Sequence, residues 1–104
     1  MEKIRVTCEM EVTLKVIGGK CKPLILESLI ENGTQRFSEL MRTLTQISQR
    51  TLTNQLRELE NDGLIARTAY AEVPLRVEYS ITPKGRSLES ILALMCVWGE
   101  KNID

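Results

Sequence analysis

The side chains best equipped for recognition chemistry lie between Ser48 and Asp62, in the run SQRTLTNQLRELEND. Gln49, Arg50, Thr53, Asn54 and Arg57 supply amides, a hydroxyl and guanidiniums. Such groups can hydrogen-bond to base edges and to phosphate oxygens. Leu52, Leu56 and Leu59 recur at helical spacing, so the run reads as one helix with a narrow apolar stripe. Ser48 can cap it by accepting a free amide proton of the first turn. Asp62-Gly63 ends it, because glycine suits a left-handed terminal conformation. The pattern predicts a DNA-recognition helix, with a solvated amphipathic helix as the competing reading.

Catalytic chemistry has little support. Histidine is absent, and Cys8, Cys21 and Cys96 lack paired metal-ligand spacing. There is no G-x-S-x-G elbow, P-loop or dinucleotide fingerprint. The expectation is no enzyme, no metal and no cofactor. Cys8 is the candidate redox group. It lies near the start of a helix, where free amides could lower a thiol pKa and favour the thiolate. Glu9 and Glu11 oppose that effect, and a small core cysteine is the competing reading. Cys21 reads as structural, with a redox role left open.

The 104 residues suggest one domain, 42% hydrophobic and 27% charged. Fourteen basic residues balance fourteen acidic ones, so no global positive field draws in polyanions. Local charge placement can still make a DNA footprint. No stretch approaches the roughly 18 apolar residues of a membrane span. The start, MEKIRVTCEMEV, has no secretory pattern. The cysteines are odd in number and far apart, unlike a disulfide scaffold. A cytoplasmic protein with no membrane partner is expected.

The other elements must position the recognition helix. Glu9 to Ile17 fits a first helix, broken by Gly18-Gly19. Lys22-Pro23 opens a second, strongly apolar helix, and Asn32-Gly33 turns the chain. Residues 34–37 form a short extended piece. Ser38 can cap a third helix from Glu39 to Leu44, and Thr45-Gln46-Ile47 connects it to Ser48. Residues 38–62 therefore form a helix-turn-helix candidate. Within it, Gln49, Thr53 and Asn54 could approach base edges, each specific contact contributing about 1–3 kcal/mol of discrimination. Arg50 could reach guanine or phosphate. Arg57, Arg36 and Ser38 suit phosphates, and Ser48 is a cap placed where it can also touch DNA.

A hairpin follows over residues 64–81, with strands Leu64 to Tyr70 and Arg76 to Ile81 and a tip at 71–75. The fold class is α+β: a winged helix-turn-helix with a two-stranded wing and added terminal helices. Arg76 could approach an adjacent minor groove, or pair with Glu72 or Glu78. Thr82-Pro83 starts a closing helix over 82–101. Its Leu88, Ile91, Leu92, Met95 and Trp98, with Met10 and Leu14 of the first helix, are assigned to a homodimer interface. Intramolecular packing is the alternative. A two-fold dimer would match half-sites of a palindromic double-stranded operator about 34–36 Å apart.

Together these segments resemble the HxlR family of winged helix-turn-helix bacterial transcriptional regulators. The resemblance is carried by VIGGKCKPLIL at Val16 to Leu26, RFSEL at Arg36 to Leu40 and ISQRTLTNQLRELENDGLI at Ile47 to Ile65. EVPLRVEYSITPKGRSL at Glu72 to Leu88 and CVWGEK at Cys96 to Lys101 continue it. It implies transcriptional control through DNA, a homodimer built from terminal helices, and DNA-facing positions at Ser48, Gln49, Arg50, Thr53, Asn54 and Arg57. It also places Cys8 at the amino-terminal cysteine with which some members sense oxidants or electrophiles. Cys21 stands where the family pattern often has tryptophan, and Thr45-Gln46 replaces a common proline-glycine turn. A small-molecule effector bound at the dimer region is the alternative to thiol control, although no residue set identifies its chemistry. The alternative function is a winged-helix protein-interaction adaptor without DNA binding.

Overall fold

The computed structural model describes residues 8–19 and 21–103. Its elements are α1 (Glu9–Ile17), α2 (Lys22–Asn32), β1 (Gln35–Arg36), α3 (Phe37–Thr43), α4 (Gln49–Asn61), β2 (Ile65–Tyr70), β3 (Arg76–Ile81), α5 (Pro83–Arg86) and α6 (Glu89–Asn102). The strands form an antiparallel sheet in the order β1-β3-β2. The fold is an α+β winged helix-turn-helix with extra terminal helices.

The core follows from helical periodicity. Ile25, Leu26 and Leu29 of α2 are fully buried against Leu40 of α3 and Leu52, Leu56 and Leu59 of α4. Leu64 and Ile65 close it on the wing side, and Leu88 and Leu92 on the C-terminal side. Gln35 is buried but satisfied: its Nε2 donates to the carbonyl of Ser28 at 3.0 Å and to the Ser28 hydroxyl at 3.1 Å. That bond fastens the extended piece to α2, and Gln35 pairs with Tyr79. The wing therefore gains a third, two-residue strand beyond the expected hairpin.

Two helix boundaries differ from the expected ones. Ser38 does not cap α3. The helix starts at Phe37, because the sheet pairing of β1 ends at Arg36 and the Glu39 carboxylate accepts the Arg36 amide at 2.8 Å. The closing helix is also not continuous. Thr82 caps α5, accepting from the Gly85 amide at 3.0 Å, but the element stops at Arg86. Ser87 donates its hydroxyl to the Lys84 carbonyl and its amide to the Pro83 and Lys84 carbonyls. This local bonding tightens the turn and re-aims α6. The break turns Leu88 into the core, and Gly85 permits it: a Cβ there would collide with the Leu64 carbonyl.

Candidate nucleic-acid interface

The polar face of α4 is held by bonds at both ends. Ser48 Oγ accepts the Thr51 amide at 3.1 Å and donates to Thr51 Oγ1 at 3.0 Å. The C-terminal end closes on Gly63, at φ 77°, with Gly63 N donating to Glu60 O and Leu64 N to Leu59 O, each at 3.0 Å. This bonding pair is the Schellman arrangement that satisfies helix carbonyls. Lys84 Nζ then reaches the Asp62 carbonyl at 2.8 Å, placing a cation at the negative helix end.

Between those ends the stripe of Leu52, Leu56 and Leu59 is buried, leaving Gln49, Arg50, Asn54 and Arg57 exposed on the other side. Thr53 is half-buried, and its hydroxyl donates to the Gln49 carbonyl at 2.9 Å. A base acceptor would have to compete with that bond, whereas a base donor can still be met by the hydroxyl oxygen. Arg36 and Ser38 are exposed at the entry to α3, which braces α4 through Leu40 and the half-buried Ile47.

Arg76 takes the second of its two expected roles. Its guanidinium lies 2.9 Å from Glu72 and 3.0 Å from Glu78, and stacks 3.9 Å from the Tyr70 ring centroid. Its charge is spent inside the wing. Periodicity alone does not single out two other basic residues. Lys22, 5% exposed, pairs with Glu58 of α4 at 2.7 Å. Arg67 shares with Thr53, Arg57, Glu60 and Tyr79 a cleft of about 300 Å³ between α4 and the wing. The available signal for Arg67 is strand alternation, which puts it two residues beyond Ile65.

The cysteines sit in three different settings. Cys8 is exposed at the N-cap of α1, its sulfur accepting the Met10 amide at 3.4 Å. Cys21 is buried in the core. Cys96 is exposed and donates to Glu27 Oε2 at 2.9 Å, and this hydrogen bond to a carboxylate raises its pKa. No disulfide joins them.

Of the residues assigned to a dimer face, Met10, Leu14, Ile91, Met95 and Trp98 are exposed, Trp98 by 69%. Leu88 and Leu92 are not available to a partner. The bend after α5 buries them at 9% and 4% exposure in the core of their own chain.

The family model of HxlR-like helix-turn-helix proteins matches residues 16–104. The chain belongs to the HxlR family of winged helix-turn-helix transcriptional regulators. It is 50% identical over 104 residues to the uncharacterized HTH-type transcriptional regulator YtcD of Bacillus subtilis, covering all of this chain and 82% of that one. The redox regulator HypR in its oxidized form superposes with a TM-score of 0.86 at 50% identity, over 93% of this chain and 99% of that one. The reduced form of the transcriptional regulator YodB from B. subtilis superposes at 0.79 with 31% identity, over 96% of this chain and 97% of that one. The HxlR match begins inside α1, so Cys8 precedes it, whereas the similarity to YtcD includes it. Among the described residues, no helix is long and apolar enough to cross a membrane.

Proposed function

We propose that this HxlR-family chain is a sequence-specific DNA-binding transcriptional regulator, that it acts as a homodimer on a palindromic operator, and that Cys8 is its oxidant-responsive group. One observation carries the DNA-binding reading. Gln49, Arg50, Asn54 and Arg57 form an exposed polar face on a helix whose other side is locked into the core. In this reading Gln49, Arg50 and Asn54 approach base edges. Arg36, Ser38 and Arg57 meet phosphates, and Thr53 approaches a base edge, keeping its bond to Gln49 where it accepts and giving it up where it donates. Ser48 is chiefly a cap. Arg76 stiffens the wing.

The dimer reading is supported by the exposed apolar side chains of α1 and α6, a kind of surface that marks interaction sites. Cys8 caps α1 two residues before the exposed Met10, so a change at its sulfur would act next to the proposed dimer face. The relative HypR is described as a redox regulator, and its similarity supports this input.

Genomic footprinting with the purified protein tests the reading. Protected sites with two-fold symmetry are expected. Failure to protect any native site, in both reduced and oxidized protein, would defeat it. Arg50→Ala should weaken binding without unfolding the chain, and unchanged affinity and site preference would remove Arg50 from the contact set. Intact-mass analysis paired with DNA titration before and after mild oxidation tests Cys8. If oxidized Cys8 leaves affinity unchanged, the switch is abandoned.

A further inference from the structure

We propose that the cleft between α4 and β2 holds one phosphodiester group of the DNA backbone, gripped jointly by Arg57 from the recognition helix and Arg67 from the wing. The assignment rests on the DNA-binding reading of α4 and adds a residue which that reading does not use.

Thr53, Arg57 and Glu60 follow helical spacing and flank the buried stripe of Leu52, Leu56 and Leu59 on one side. Arg67 pairs with Tyr79 across the hairpin and lies two residues beyond the buried Ile65, so it shares the sheet face that Ile65 presents to the core. The two elements therefore bring Arg57 and Arg67 into one polar cleft of about 300 Å³, with Thr53, Glu60 and Tyr79 as its other walls. Among the described residues, no ion pair or hydrogen bond engages either guanidinium, whereas Arg76 is held by Glu72 and Glu78. A basic pair with no ion-pair partner, only partly offset by the Glu60 carboxylate in the same cleft, leaves room for an anion beside the polar face of α4.

Charge selects which anion. Two guanidiniums and the Glu60 carboxylate leave one net positive charge in the cleft. A diester phosphate is a monoanion and balances it, while a free phosphate dianion overshoots. Guanidinium forks match phosphate oxygens in pairs. Using one fork from the helix and one from the wing fixes the spacing between those elements against the DNA backbone. Base reading is the poorer fit, because Arg57 lies toward the C-terminal half of α4 and the leading residues of such helices enter the groove.

Binding to a mixed-sequence DNA duplex tests the site without knowledge of the operator. Measured across salt concentrations, Arg67→Gln should lower the magnitude of the log–log salt slope by about 0.9 for each protomer on the duplex, about 1.8 for the homodimer, the release expected for one phosphate contact per chain. Affinity at low salt should fall roughly tenfold for each protomer on the duplex. Arg57→Gln should do the same, and the double variant should lose less than the product of the two, because both act on one phosphate. Arg67→Lys keeps the charge without the fork, so it should retain the slope and lose part of the affinity. Glu60→Gln should tighten binding. A wild-type slope for Arg67→Gln, or a loss confined to one DNA sequence, overturns the site while leaving the regulator reading intact. A wild-type protein that binds neither mixed-sequence nor native DNA overturns both.

Discussion

Lys22 and Glu58 form an ion pair at 2.7 Å that joins the first turn of α2 to α4. The lysine is buried, while more than half of the glutamate side chain is exposed. The pair sits next to Gly19, where a Cβ would run into the Gln55 amide of the same helix. The loop after α1 is thus packed against α4 at close range.

Removing the two partners of this pair should have unequal consequences. Glu58→Ala leaves a buried ammonium unpaired and should cost about 1–2 kcal/mol, solvent screening of the exposed glutamate keeping it below the figure for a fully buried pair. Lys22→Met, which fills the same space without a charge, should cost less. Urea denaturation of both variants checks this, and the opposite order would refute the account.

The cysteines should react in a defined order. Only the thiolate is nucleophilic, and the hydrogen bond to the Glu27 carboxylate raises the Cys96 pKa. Alkylation at neutral pH should therefore label exposed Cys8 before Cys96, and Glu27→Gln should accelerate Cys96. The same bond gives a sign for stability. A raised pKa in the folded state means that its contribution is fully present below the ordinary thiol value and is lost as pH rises through the raised one. Mass mapping of partially alkylated protein provides the readout.

Gly63→Ala should destabilise the fold by about 1–2 kcal/mol, because φ 77° at the end of α4 is a conformation in which a Cβ is strained. Thermal unfolding should show a lowered midpoint. A neutral result would mean that the Schellman turn can relax.

Leu92 and Trp98 lie on the same helix but should fail differently. Leu92→Ala opens a cavity in the core and should cost about 2–5 kcal/mol. Trp98→Ser removes an exposed side chain, so it should leave the fold of one chain intact while weakening self-association. Sedimentation equilibrium alongside urea denaturation separates the two. An unchanged monomer–dimer balance in Trp98→Ser would remove that residue from the proposed face.

What the sequence determined by itself was the local order: α1 with its glycine break, the capped α4 ending at Gly63, and the alternation of β3. Each depends on backbone preferences and periodicity over a few neighbouring residues. The long ordered motifs also identified the HxlR family. Only the tertiary structure decided which apolar side of α6 belongs to the core. The bend at Ser87 and Leu88 depends on how closely Gly85 approaches Leu64, a contact between residues distant in the chain. It likewise decided the fate of the arginines. Arg76 is neutralised within the wing and Arg67 is not, because strand register and sheet packing determine which charges meet. The polar face of α4 was written in one helix, but the cleft beside it exists only once the wing has folded back onto that helix.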